Sequence, residues 1–193
     1  MMQTFVLFFK QGLSHILDLD GIDHLLFILA ITVFFSLSQW RKLALLITAF
    51  TIGHSITLVL SVYDIFTLPR DIIEQLIPIT IIVTCINNFI KVYKPTQINY
   101  QLLYTTVLIF GCIHGLAFSN FLKMAFFEED NLLASLVGFN IGIELGQLII
   151  VGVFLAAIQM AFRGFKKLKH EHVIISCSAI ILIFAVKILW DLL

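Results

Sequence analysis

The stretch LLASLVGFNIGIELGQLIIVGVFLAAIQMAF, residues 132–162, is almost entirely apolar, and Glu144 is its one charged residue. A helix needs about 20 apolar residues to cross the hydrocarbon core of a membrane, so this segment is more than long enough. A helix of such excess length tilts, bends or extends beyond the bilayer. The stretch therefore predicts a transmembrane helix that carries a carboxylate, a costly group at that depth.

Five further apolar stretches accompany this one. The chain of 193 residues is 60% hydrophobic and 12% charged, with a mean hydropathy of +1.05, as is typical of integral membrane proteins. We predict one domain over residues 1–193, an all-α integral membrane protein with a bundle of about six transmembrane helices. The predicted spans are 21–38, 42–63, 70–91, 100–122, 132–162 and 172–193. Residues 1–14 are too short to span and are expected to form a short interfacial or re-entrant helix.

The charged residues are informative through their positions. The formal net charge is zero, so nucleic-acid binding is not indicated, and Cys85, Cys112 and Cys177 show no metal or disulfide spacing. The 19 phenylalanines are interpreted as apolar side chains that face lipid or pack between helices. Basic residues follow the first, third and fifth spans: Arg41, Lys42, Lys91, Lys94, Arg163, Lys166, Lys167 and Lys169. The positive-inside rule predicts that these loops are cytoplasmic and that both termini lie on the outer side.

Polar side chains from five spans are predicted to lie in the outer half of the membrane. At a rise of about 1.5 Å per residue, His54 and His114 lie roughly 12–13 Å below the outer ends of their spans. Asn140 falls at a similar depth, with Glu144 one turn deeper on the same helix face. Three others lie near outer helix ends: Asp23, His24 and Glu74. Because ionisable groups in a membrane usually face the bundle interior, we expect these side chains to meet there.

Imidazole and carboxylate groups together favour borderline divalent cations, so a divalent transition metal (nickel, cobalt or zinc) is expected. Further polar residues are expected to support the ligands or to line a pathway: Asp20, Ser55, Glu74, Asn140 and Gln147. Each residue alone also has a structural interpretation. A lone intramembrane histidine or amide often bridges two helices, and Asp23 could cap the first span.

Four motifs follow one another along the chain: GLSHILDLDGIDHLLF, FTIGHSITL, FGCIHGLAFSNFL and FNIGIELGQL. Together they resemble the HupE/UreJ family of small bacterial membrane proteins, over nearly the whole chain. The resemblance implies a nickel or cobalt permease of the bacterial inner (cytoplasmic) membrane. It also implies the metal-handling residues His15, Asp23, His24, His54, His114 and Glu144. One departure is the spacer ILDLDGI between His15 and Asp23, which is longer than usual and indicates a variant subgroup.

Three functions are compatible with these residues. The first is a permease for a divalent transition-metal cation, with the metal ion and the lipid bilayer as partners and a possible homo-oligomer. The second is an intramembrane metal-dependent hydrolase acting on lipid or peptide, with Asp23, Glu74 or Glu144 as general base. The third is a metal-binding accessory or sensor protein. A permease requires a polar exit path toward the inner face, whereas a hydrolase requires a dead-end cavity.

Overall fold

Seven α-helices make up the described part of the chain. The computed structural model describes residues 1–18, 21–95, 97–127 and 131–193, and it describes side chains outside 118–130. The helices are α1 (Met2–Leu17), α2 (Ile22–Thr32), α3 (Trp40–Val62), α4 (Arg70–Tyr93), α5 (Tyr100–Phe127), α6 (Leu132–Gly164) and α7 (His170–Asp191). No strand occurs in these ranges, so the predicted all-α membrane bundle is confirmed.

Five of the helices, α3 to α7, are long and apolar enough to cross a membrane, and they correspond to the last five predicted spans. The first predicted span, 21–38, differs from the structure. The helix there, α2, has only 11 residues and a length of about 16 Å, roughly half the hydrocarbon thickness. The physical reason lies at Ser36 and Gln39, which form a capping box that starts a 3₁₀ turn, Leu37–Gln39, so α2 must end before it.

The N-terminal helix α1 lies lengthwise against α6. An added Cβ at Gly138 would lie 2.5 Å from the carbonyl oxygen of Phe5, and one at Gly142 would lie 2.2 Å from that of Phe9. The two backbones therefore touch, as small residues in membrane helices allow. Residue numbers rise together along the contact, so α1 is parallel to α6. The predicted interfacial or re-entrant helix is thus packed into the bundle along its length.

The second helix, α2, is parallel to α4. Ile22 shares a crevice with Glu74 near the start of α4, and Asn88 near the end of α4 donates a hydrogen bond to the Ala30 carbonyl at 2.7 Å. The same amide also donates to the Ser178 hydroxyl at 3.2 Å. A backbone carbonyl at the end of a helix inside a membrane needs such a partner, because an unpaired one is costly in lipid. Asn88 therefore stabilises the short α2.

Eight of the twelve basic residues lie at one end of the bundle, which we call the basic end. There the Lys42 ammonium lies 4.1 Å from the centroid of the Tyr100 ring, and that of Lys91 lies 5.1 Å from the centroid of the Phe34 ring. Helices α4 and α6 both end at this side, so the parallel helices α1 and α2 also run toward it. The first crossing is therefore a broken one, made by α1 and then α2.

Candidate metal site

Four histidines meet inside the bundle beside the break between α1 and α2. They come from four helices: His15 from α1, His24 from α2, His54 from α3 and His114 from α5. The ring centroid of His24 lies 4.9 Å from that of His15, 5.8 Å from that of His54 and 5.1 Å from that of His114. One ligand atom from each of His15, His24 and His54 lies within 4.8 Å of the other two. We call these four residues the histidine cluster.

Glycines bring α3 and α5 close enough to place His54 beside His114. An added Cβ at Gly53 would lie 2.1 Å from the Leu108 carbonyl oxygen, and one at Gly115 would lie 2.3 Å from that of His54. Any larger residue would push the two backbones apart. The glycines that flank the histidines in the sequence therefore act through packing, and they set the common depth of the two imidazoles.

Buried ring nitrogens distinguish the cluster from ordinary interhelical hydrogen bonding. His24 is 2% exposed, and His54 and His114 are 0% exposed. The Nε2 atoms of His24 and His114 and both nitrogens of His54 have no hydrogen-bond partner among the described residues. A buried polar atom without a partner costs roughly 1–3 kcal/mol. A cation that accepts these lone pairs would remove that cost.

Hydrogen bonds hold two of the rings by Nδ1 and leave Nε2 of each without a partner among the described residues. His24 Nδ1 lies 3.1 Å from Asp23 Oδ1, which also accepts the backbone N–H of His24 at 2.8 Å. His114 Nδ1 donates to the Phe110 carbonyl at 2.8 Å. A carbonyl only accepts, so Nδ1 of His114 carries the hydrogen and Nε2 keeps its lone pair. Metal-binding histidines are commonly held in this way by a carboxylate or a carbonyl.

The spacing of the cluster is wider than a filled metal site. Two nitrogens bound to one metal at about 2.0–2.1 Å lie on the order of 3.3 Å apart. The corresponding atoms of His15, His24 and His54 lie within 4.8 Å of one another. Inward ring movements of roughly 1 Å would bring them to bonding distance. The donor set is rich in imidazole nitrogen, which suits Ni²⁺, Co²⁺ and Zn²⁺.

The polar residues predicted on α6 face hydroxyl groups on α3. The Thr48 hydroxyl donates to Glu144 Oε1 at 2.6 Å, that of Thr51 to Gln147 Oε1 at 3.0 Å, and that of Ser55 to Asn140 Oδ1 at 2.5 Å. Thr48 precedes His54 by roughly 9 Å along α3. Glu144 is therefore near the histidine cluster, but it is not one of the three residues whose ligand atoms converge.

Glu74 lies farther out than the histidine cluster. Glu74 accepts a hydrogen bond from Arg70 at 2.6 Å in an exposed ion pair in the first turns of α4. Glu74 and Asp23 line the same crevice, whose volume is about 220 Å³. Asp20 lies outside the described residues. The structure thus brings Asp23 and the four histidines together, and it leaves Glu74 at the crevice.

Aromatic rings form a wall of the site, a more specific role than the predicted lipid-facing and packing one. The Phe27 ring centroid lies 5.2 Å from that of His114 and 5.0 Å from that of Phe50, and the Phe50 ring lies 5.1 Å from His114. The sequence carried a signal for this: Phe27, Phe50 and Phe110 each lie three or four residues from a cluster histidine. Residues at that spacing share a helix face.

Comparison with known proteins agrees with the motifs. The family model described as HupE / UreJ protein matches residues 1–192, a range that includes all seven helices and all four histidines of the cluster. No curated protein and no solved structure matches the chain. Since the match covers essentially the whole sequence, this multi-pass membrane protein belongs to the HupE/UreJ family.

Proposed function

We propose that the protein is a permease that carries a divalent transition-metal cation across the membrane through the histidine cluster. The observation that supports this most is the set of buried imidazole nitrogens without hydrogen-bond partners among the described residues, beside the break in the first crossing. Secondary transporters commonly bind their cargo near the membrane midplane at discontinuous helices. Nickel and cobalt are the favoured cargo because of the family resemblance, and the imidazole donors suit both.

The charges around the cluster match a divalent cargo. Imidazole binds a metal as a neutral ligand, whereas the carboxyl groups of Asp23 beside His24 and of Glu144 beside Thr48 can each supply one negative charge. A divalent ion in a low-dielectric interior requires nearby opposite charge. Two carboxylates near the cluster offset the two positive charges of the metal. We therefore assign Glu144 a role through its charge at a distance, and Asp23 a role in direct contact with a histidine.

Replacing Glu144 by glutamine tests this assignment. A carboxylate about 10 Å from a divalent cation attracts it by about 1–3 kcal/mol at effective dielectric constants between about 80 and 20. We expect Glu144→Gln to weaken Ni²⁺ binding about tenfold in titration calorimetry of the purified protein. Glu144→Asp should bind within about threefold of wild type, because it keeps the charge. Equal losses in both variants would indicate direct coordination by Glu144 instead.

A crevice beside Asp23 opens at the end opposite the basic end, and we propose it as the entrance to the cluster. It lies between α2, α4 and α7, has a volume of about 220 Å³ and is lined in part by Asp23 and Glu74. The Asp23 side chain is 25% exposed, while its His24 partner is buried. Arg70 offsets the charge of Glu74, so Asp23 supplies the negative charge of this cleft, and negative charge in a cleft concentrates cations. A metal ion that enters here meets Asp23 first and His24 next.

We further propose that the basic end faces the cytoplasm of a bacterial inner membrane. The positive-inside rule supports this orientation, because the basic residues collect at the ends of α4 and α6 and at the starts of α3 and α7. Both termini and the crevice with Asp23 then face the periplasm. Transport through the cluster toward the basic end is import.

Reconstitution into liposomes tests the proposed function. Proteoliposomes that contain a metal-sensitive dye should show saturable Ni²⁺ or Co²⁺ influx, whereas empty liposomes should not. Mg²⁺ should not be carried, because it prefers oxygen ligands. Retained metal without flux above empty liposomes would overturn the permease and leave an accessory protein or a metal-dependent hydrolase, which a lipid or peptide hydrolysis assay would then separate.

A further inference from the structure

A second cavity lies on the other side of the histidine cluster, toward the basic end. Its volume is about 380 Å³, and it is lined by α2, α4, α5 and the linker residues 97–99. Its polar lining consists of Thr84, Asn87, Lys91, Gln97, Asn99 and Thr106. Lys91 belongs to the basic end, where its ammonium lies over the Phe34 ring. We call this space the basic-end cavity.

One layer of aromatic side chains separates the basic-end cavity from the cluster. Along α2 the order toward the basic end is His24, Phe27 and then Ile31, which lines the cavity. Along α5 the same order is His114 and then Phe110, which also lines the cavity. The Phe27 and Phe110 ring centroids are 5.8 Å apart, and Phe27 is 1% exposed. Both helices therefore place histidine, phenylalanine and cavity in succession.

We propose that the basic-end cavity is the compartment into which the metal cation is released, and that Phe27 and Phe110 are the barrier between it and the histidine cluster. This inference rests on the proposed permease function and adds its exit route. A hydrophobic constriction of this kind blocks hydrated ions by excluding water, and it opens when the rings move aside. The barrier is one residue thick on each helix, so a side-chain rotation would join the two spaces.

The chemistry of the cavity favours release over retention. The polar residues that line it carry hydroxyl and amide groups and the Lys91 ammonium, and no lining residue is a histidine, cysteine or carboxylate. Neutral oxygen donors bind Ni²⁺ or Co²⁺ more weakly than imidazole nitrogen does. The positive charge of Lys91 also repels a cation. A metal ion that passes the barrier therefore moves from strong ligands to weak ones and leaves.

Thiol labelling tests the compartment. In a background with Cys85, Cys112 and Cys177 replaced by alanine, Thr84→Cys should react with a membrane-impermeant methanethiosulfonate reagent applied to the basic-end side. Labelling should lower Ni²⁺ flux roughly tenfold or more, since a bulky adduct would fill the cavity. Ni²⁺ affinity of the labelled protein should stay within about twofold, because the cluster lies beyond the barrier. Thr67→Cys, at an exposed position between α3 and α4, is the control for the side of access. This thiol should react from the opposite face, and its labelling should leave flux unchanged.

Replacing a barrier phenylalanine by alanine tests whether these rings block the route to the cavity. Phe110→Ala should raise Ni²⁺ flux roughly fivefold or more and make it less saturable, because the constriction is widened. Phe35→Ala removes an equally large ring that is 2% exposed but does not line the cavity, so it controls for general loosening of the fold. If wild type transports while labelled Thr84→Cys keeps full flux and Phe110→Ala behaves as Phe35→Ala does, the exit route is wrong and the permease stands. Absence of flux in wild type would instead overturn both.

Discussion

Replacing His54 by alanine is expected to weaken Ni²⁺ binding by more than about 100-fold, since loss of a supporting residue alone costs about 10–100-fold in known metal sites. His54 is 0% exposed, and neither of its ring nitrogens has a hydrogen-bond partner among the described residues. Its ring lies 5.8 Å from His24 and 6.3 Å from His15, so its removal opens the converging trio. Metal flux should be lost along with affinity.

Titration calorimetry on detergent-purified protein measures this effect. The matched control is His172→Ala, which removes an imidazole from an exposed position at the start of α7 and should leave the affinity unchanged. Thermal stability of both variants should be followed in the same preparations, because removal of a buried ring also leaves a cavity. A folded His54→Ala protein that binds Ni²⁺ as wild type does would exclude His54 from the site.

Replacing Asp23 by asparagine should produce the second-largest loss, about 30–100-fold in Ni²⁺ affinity. The Asp23 carboxylate touches both His24 Nδ1 and the His24 backbone N–H. Asparagine can still accept these bonds, but it removes the negative charge nearest to the cluster. The loss should therefore exceed that of Glu144→Gln, whose charge acts from farther away.

Comparison with other substitutions separates charge from orientation. Asp23→Ala removes both contributions and should bind more weakly than Asp23→Asn. Asp71→Asn, which neutralises an exposed carboxylate in the first turn of α4, should change affinity by less than about twofold. An Asp23→Asn protein with wild-type affinity would contradict the assignment of this carboxylate to the metal site.

Much of the fold was readable from the chain. Apolar length predicted α3 to α7, and the depth of His54 and His114 followed from the rise per residue. The broken first crossing was not predicted from the sequence, because residues 21–38 have the apolar length of a complete span. The early end of α2 is fixed by the Ser36–Gln39 capping box and by the Asn88 amide of a distant helix. The second of these contacts exists only after α4 has packed against α2.

The candidate site, like the fold, was predicted in part from the sequence and was decided in part by packing. Residue types and depth indicated that imidazoles and carboxylates would meet, but they did not distinguish Glu144 from the histidines as candidate ligands. Packing separates them, since Glu144 bonds to Thr48 while His24 and His114 are held by Asp23 and the Phe110 carbonyl. The partner of a polar group depends on how each helix is rotated about its own axis. That rotation is set only when the helices pack into the bundle.

The sequence by itself determined that this is an all-α membrane protein of the HupE/UreJ family with imidazole and carboxylate side chains at a common depth, because apolar length and helix rise act along one chain. Only the tertiary structure decided that α1 and α2 share one crossing, that four histidines meet at its break, and that Phe27 and Phe110 stand between them and a second cavity. These features depend on the contact of backbones at Gly53, Gly115 and the glycines of α6, which sets helix pairing at distances that no single helix specifies.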